Sequence, residues 1–388
     1  MKNYDVCIVG GGMIGAAMAL GLARLKKPLR ILLLEHQKPQ SFDREQCPDL
    51  RLSAFNLHAI NLFKQLGAWQ HIENTRLRPY SRLSVWEDAT AATTFDAKDI
   101  GQDKLGYFIE NRLVQLGLLR SIQDKYEKHV DIKYGEMISA IDTSKGNVQL
   151  ESGLAIQAKM ILGADGAQSL VRKASKIVTS GWQYKQSATA ILVKLNAAIP
   201  DTTWQQFYST GPRALLPMYD NHACLVWYDE KHQSNKIQQA DNRTLKHMIL
   251  RAFPPFLPSF EIIGKASFPI ARMHAHRYGQ GKSIILGDAA HTINPLAGQG
   301  VNLGFKDVAT LLELIEEQGI ESVSDVCTLF EKSRKGHNLA MMTAMDVIYS
   351  VFSNEALPLR IIRQVGLKVA NQTGPIKAKV LRYAMGIS

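Results

Sequence analysis

The sequence predicts an α/β protein: a Rossmann-like dinucleotide-binding domain, an inserted β-sheet domain and a C-terminal helical segment. Three observations carry that expectation. An apolar strand runs into a glycine-rich turn and a small-residue helix at the N-terminus, between Tyr4 and Leu25. A second glycine-rich, ligand-shaped segment, Gly287 to Gly304, lies about 270 residues downstream. Between them, runs rich in Trp, Tyr and Phe and broken by Pro and Gly occupy Ala188 to Phe268, a pattern of short strands.

Taken in order, Tyr4 to Val9 is a short apolar β run, Gly10 to Gly15 a turn and Ala16 to Leu25 a helix. Leu29 to Leu34 is a second apolar strand that ends on Glu35. Order and length are those of a βαβ unit. Helical periodicity returns over Asn56 to Gly67 and Asn111 to Tyr126, and Leu83 to Phe95 reads as strands. Lys159 to Gly163 is an apolar strand entering the turn Ala164-Asp165-Gly166, and Ser283 to Leu286 repeats that design before Gly287. Helices dominate from Gly300 onward. The dinucleotide domain is therefore discontinuous, over 1–75, 99–175 and 269–320. The β-rich domain takes 76–98 and 176–268, and a helical region with a basic amphipathic tail takes 321–388.

A chain of 388 residues with 46% hydrophobic composition can bury two or three lobes. Its formal charge of +11 favours acidic partners. Six cations and no acid lie between Ala356 and Ser388, a tail suited to anionic lipid or to partner proteins. No dense basic run with interleaved aromatics exists, so nucleic acid is not an expected partner. Cys7, Cys47, Cys224 and Cys327 are scattered without metal-ligand spacing. That predicts no metal and a reducing cytoplasm. The apolar window Tyr4 to Ala23 is interrupted by Asp5 and by glycines, and reads as strand, turn and helix rather than a signal or a span.

The first motif is G-x-G-x-x-G. Gly10 permits the turn, Gly12 lets backbone approach a pyrophosphate, and Gly15 lets helix pack on strand. The helix start, with Met13 and Ile14, offers free N–H groups to phosphate. Glu35 can accept from ribose hydroxyls, which disfavours a 2′-phosphate there. Asp165-Gly166 forms the second motif, with Ser169 placed to cap the next helix. Asp288 follows an apolar strand, at the ligand edge of an α/β sheet, where it can accept from a sugar-alcohol chain. Gly298, Gly300 and Gly304 crowd the start of a helix, their N–H groups suited to an electron-rich ring edge.

Together these motifs resemble the class A flavoprotein monooxygenases, relatives of para-hydroxybenzoate hydroxylase, over nearly the whole chain. The resemblance implies FAD, with Gly10 to Gly15 and Glu35 on its ADP half, Asp165-Gly166 serving FAD and NAD(P)H, and Asp288 on the ribitol. Pro295, Gly298, Gly300, Val301 and Asn302 then surround the flavin ring. Arg51 stands where the family carries an FAD-contacting arginine. Asn111 stands where many relatives carry Gln or Arg, and either it or Arg112 takes that role. With one fingerprint present, NAD(P)H or another donor docks transiently. Reduced flavin and O₂ supply the oxidant, so the chemistry is flavin-centred. His291 and Pro295 are the catalytic candidates from the chain: a structural histidine or proton shuttle, and a backbone contact.

Aromatic strings in the insertion suit an apolar, ring-containing ligand. Gln206, Arg213, Leu215, Pro217 and Trp227 are the candidate substrate residues. Within the family, Trp182-Gln183-Tyr184, Trp204 to Phe207, and Phe352-Ser353-Asn354 with Pro358-Leu359-Arg360 resemble the ubiquinone-biosynthesis hydroxylases. That likeness implies ring hydroxylation of a 2-polyprenyl-3-methyl-6-methoxy-1,4-benzoquinol. It also implies partner proteins of that biosynthesis, and a cytoplasmic protein peripheral at the inner membrane face. Rival readings share the motifs: hydroxylation of another ring position or of a soluble phenol, reduction of isoprenoid double bonds, or a flavin-bearing scaffold.

Overall fold

Four consecutive apolar residues, Ile31 to Leu34, are all buried, as befits a parallel strand covered on both faces. The computed structural model describes residues 1–87, 92–198, 201–295, 298–353, 378–379 and 381–382. Ile31–Glu35 lies beside Lys2–Val9 in an eight-stranded sheet. Its parallel strands run in the order Ser283–Ile285, Ala155–Gly163, Lys2–Val9, Ile31–Glu35 and Val130–Tyr134. Met13–Ala23 is apolar all round and is the central buried helix. A Cβ on its Gly21 would lie 2.2 Å from a Leu312 methyl, so this helix and Gly300–Gln318 cross in close contact there.

Leu57–Leu66 starts on Asn56, whose side chain accepts from the Ala59 N–H at 3.1 Å. It ends on Gly67 with φ 75°, a left-handed stop. Its Phe63 meets Phe305 edge-on at 4.8 Å between ring centres. Leu52–Asn56, Gly106–Glu110 and Leu77–Tyr80 form a small sheet beside this helix.

A second eight-stranded sheet makes a roof. Its longest strands, Phe260–Ala275 and Thr179–Leu195, lie side by side near one edge, followed by His222–Glu230, Arg213–Pro217, Thr202–Gln206, Arg82–Trp86 and Thr93–Asp96. Strand alternation gives it two apolar faces. Ile191, Val193, Leu225 and Trp227 pack outward against Ile237, Leu245 and Ile249. These last come from two helices, Lys231–Gln239 and Asn242–Ala252, inside a region whose composition suggests strands alone. Ala190, Leu192 and Cys224 face inward with Leu216, Leu50 and Leu52. Val323–Ser353, a 31-residue helix, closes the roof's near end through Met341, Met342 and Met345. Among the described residues no helix is long and apolar enough to cross a membrane. Of the basic tail, all but 378–379 and 381–382 lies outside the described residues.

Phe63→Ala removes a fully buried ring from the Phe55–Phe63–Phe305 cluster. It is expected to destabilise the protein by about 3–5 kcal/mol, read as a lower urea midpoint at unchanged slope.

Candidate cofactor site

Three turns converge at the carboxyl edge of the parallel sheet because of register. Val9 pairs with Gly163, and Gly163 with Ile285. The chain leaves the three strands at Gly10, Ala164 and Leu286, on adjacent paths. The Ala164 N–H donates to the Val9 carbonyl at 2.8 Å, and the Leu286 N–H to that of Gly163 at 3.0 Å. Gly10 has φ 98°, and a Cβ there would lie 2.5 Å from the Ala164 carbonyl oxygen. Only glycine allows the first two turns to touch in this way. Ile14 packs under the third: Cβ atoms on Gly287 and Gly304 would lie 3.4 and 2.7 Å from it. Its side chain therefore locks turns together.

The donor set suits a dinucleotide. The helix Met13–Ala23 has no side-chain cap and no acid in its first turn, and a Cβ on Gly12 would meet nothing within 4 Å. Its free N–H groups face open space, a ready anion seat. Gly300–Gln318 starts the same way, with no side-chain cap and with open space at Gly300. One Asp165 oxygen accepts from the Leu170 N–H at 2.6 Å, while the other is buried without a partner. Burial raises this carboxyl, against the Ser169 hydroxyl and several backbone N–H donors that lower it. An orphaned buried acceptor of this kind fits a hydrogen-bond donor brought by a ligand. Asp288 is exposed at the rim, although the protein crowding it pushes its carboxyl upward, with His291 acting the other way.

Other expected residues divide by what they touch. Glu35 accepts from the Gly11 N–H at 2.6 Å and so braces the first turn. Arg112 pairs with Asp49 at 2.8 Å and donates to the Gln40 and Ser41 carbonyls. That holds the loop but leaves little for a cofactor. Asn111 instead has a buried side-chain oxygen without a partner, so of the two it is free to receive a donor. Arg51 is exposed, and its carbonyl accepts from the Asn111 N–H at 2.9 Å. Asn302 is a clasp: it donates to the Ala54 and Gly298 carbonyls and accepts from the Asn56 N–H. Its amide is fully used within the protein, so only backbone there can meet a ring. Gly298 has φ 61° and packs on Ala54, Val301 is half-buried, and Pro295 is exposed. Gly166, with φ 74°, opens onto space beside Asp165.

His291 is completely buried, with its Nε2 2.5 Å from an Asp307 oxygen. Its position fits the structural histidine, not a shuttle in contact with substrate. Asp307 also accepts from the Gly287 N–H at 3.1 Å, from Arg334 at 2.9 Å and from Asn338 at 3.1 Å. Burial alone would raise this carboxyl, but His291 and Arg334 pull it down to about 2. His274, linked to the group through the Tyr278 hydroxyl, is pushed down to about 4, by burial first and His291 next.

Asp307, Arg334 and Gln115 were not expected, and Arg172, the last residue of the motif that begins at Ala164, was given no role of its own. Gln115 donates to the Gly11 carbonyl at 2.8 Å. Arg172 joins the second and third turns by donating to the Ala167 and Ala289 carbonyls at 2.7 and 2.8 Å. A signal for Asp307 does exist: it is an acid on the helix face that carries Leu303 and Leu311, both buried.

The five candidate substrate residues need correction. Gln206 pairs with Arg213, Arg213 with Trp227, Leu215 with Leu225 and Pro217 with Ala223. Residues opposite one another share a face, and Leu215, Leu225 and Trp227 lie in the outer core under the helices. The whole set therefore points away from the cofactor turns. Arg213 is held by Asp229 at 2.9 Å and stacks on Trp227. The inward positions are one residue out of step: Leu216, Cys224, Val226 and Leu192. Among the described residues, no three His, Cys, Asp or Glu side chains are grouped to hold a metal.

The family described as FAD binding domain matches residues 3–323. The 3-demethoxyubiquinol 3-hydroxylase of Escherichia coli (strain K12) is 38% identical over 387 residues, covering 99% of this chain and 98% of that protein. The mitochondrial ubiquinone biosynthesis monooxygenase COQ6 of Danio rerio is 30% identical over 435 residues, covering 98% and 89%. The solved p-nitrophenol 4-monooxygenase of Pseudomonas putida shares the fold, with a TM-score of 0.80 at 16% identity over 99% of both chains.

Asp307→Asn tests the buried carboxylate. With Arg334 left unbalanced, a loss of about 3–5 kcal/mol is expected at neutral pH. Because the folded-state value is depressed, the carboxylate's contribution is present above its unfolded pKa of roughly 4 and is lost as pH falls through about 2. Urea titrations between pH 5 and 2 should therefore show a stability slope in the parent that the variant lacks.

Proposed function

The chain belongs to the FAD-binding flavoprotein monooxygenase family of these relatives, and we propose that it hydroxylates the ring of a polyprenylated benzoquinol in ubiquinone biosynthesis. The carrying observation is the apolar inner face of the roof, Leu192, Leu216, Cys224 and Val226 with Leu50 and Leu52, set over three cofactor turns. A ring held there is shielded from water and presented to the turn that follows Asp288. The name of the 38%-identical relative specifies a demethoxyubiquinol and ring position 3, and we take both for this chain.

FAD, reduced by a transiently docked NAD(P)H and met by O₂, supplies the oxygen-transfer chemistry when bound. The chain's own residues bind and orient. N–H groups of Met13 to Gly15 take the pyrophosphate, with Gly10 and Gly12 giving it room. Glu35 takes a ribose hydroxyl beside its bond to Gly11, and Asp165 a donor through its orphaned oxygen. Asp288 takes the ribitol, and Arg51 and Asn111 close the flank. Backbone at Pro295, Gly298, Gly300 and Val301 takes the ring edge. An isoprenoid substrate and a tail rich in cations and without acids fit a protein peripheral at the cytoplasmic face of a membrane, working beside partner proteins of the same biosynthesis.

The test is anaerobic reduction, followed by mixing with O₂ and short-chain demethoxyquinol analogues. A product heavier by one oxygen atom is expected, and O₂ uptake without product would overturn the reading. Asp288→Ala should lower flavin occupancy at least tenfold, and a fully yellow, fully active variant would contradict the role given to Asp288. Leu216→Ala should raise KM for the quinol while Leu215→Ala lowers stability by about 2–5 kcal/mol. The reverse pattern would show the roof to be read on the wrong face.

A further inference from the structure

The basic tail meets the inner side of the roof through Leu381. Leu381 is 2% exposed, seated among Tyr80, Ala97, Ile100, Leu105 and Phe108, with Ala378 packed at the edge of the same cluster. Lys379 and Arg382 point out to solvent. The seat is rigid: Tyr80 and Phe108 lie on paired strands, their rings 4.6 Å apart between centres.

This seat is continuous with the roof's inner face. Leu52 and Leu216 border both clusters. Ala54 borders the seat and also meets the turn expected at the flavin ring, since a Cβ on Gly298 would lie 3.3 Å from the Ala54 Cβ. One apolar lining therefore runs from the place given to the substrate ring, past Leu52 and Leu216, to the pocket that Leu381 fills. The walls belong to sheet strands and a capped turn, whereas the filling side chain belongs to no strand. A segment without ladder hydrogen bonds opens at lower free energy than paired strands.

We propose that this pocket is the binding site for the first units of the substrate's isoprenoid chain, and that Leu381 occupies it between turnovers. The chemistry matches: the leucine side chain is a branched four-carbon group, and an isoprene unit is a branched five-carbon one. Tyr80, Leu105 and Phe108 offer such a unit the apolar walls they offer Leu381. The inference rests on the reading that the substrate carries an isoprenoid chain.

Two probes separate chain from ring: farnesol, and a quinol without a side chain. Their affinities are measured by calorimetry on the full holoprotein, on a variant ending at Lys377, and on Leu381→Ser, which keeps the chain intact. A seat filled by the tail about nine-tenths of the time weakens a competing ligand about tenfold. Both variants should therefore bind farnesol about tenfold tighter, with unchanged affinity for the chainless quinol and unchanged flavin content. Unchanged or weaker farnesol binding in Leu381→Ser overturns the pocket assignment, whatever the truncated form does. Tighter farnesol binding in a protein that hydroxylates no quinol overturns the proposed reaction and leaves the pocket assigned.

Discussion

One buried carboxylate governs the site. Asp307 is wholly enclosed, yet four donors from three parts of the chain end on it: the Gly287 N–H, His291, Arg334 and Asn338. An isolated buried charge would be prohibitive, and this one is held by its ion pair with Arg334 and a full set of hydrogen bonds. Because Gly287 precedes Asp288 directly, the same carboxylate fixes where the rim acid stands. Arg334 lies on the 31-residue helix, so that helix is tied to the cofactor edge by charge as well as by its methionines.

Around that anchor the architecture follows from register and alternation. Parallel pairing of three strands brings three distant turns within contact of one another. The two-residue period of the roof strands places one apolar set under the outer helices and another over the turns. The asymmetry is chemical too. The outer face holds the paired Arg213 and Asp229 with Trp227, while the inner face is mostly apolar: Ala190, Leu192, Met218 and Cys224, with Leu216, Tyr219 and Val226 beside them.

Much of the cofactor site was legible in the sequence because glycine turns are local. The steric demands at Gly10, Gly12 and Gly15 are met within a few residues and one flanking strand. The place of Asp288 just past a strand end was legible for the same reason. The direction in which the roof strands face was not. Alternation along Arg213 to Pro217 can be seen in the sequence, but which half faces inward is decided by the partners of a sheet whose strands run from Arg82 to Thr292. The aromatic residues drew the reading outward, to Trp227 and its neighbours, because size signals burial without signalling direction. Asp307 and Arg334 escaped for a related reason: each looks like an ordinary helical charge until its partner, 27 residues away, is known. The helices Lys231–Gln239 and Asn242–Ala252 were hidden by their polarity, since Ile237 alone in the first, and Leu245 and Ile249 in the second, are the buried apolar side chains that hold them to the sheet.

The bonds from Arg172 to the Ala167 and Ala289 carbonyls have a kinetic meaning. They join two of the turns through the protein alone, as the Gly10–Ala164 contact joins another pair. The turns are thus preorganised, and little chain entropy remains to be lost when a cofactor arrives. Loading then resembles entry into a finished mould rather than folding around a template.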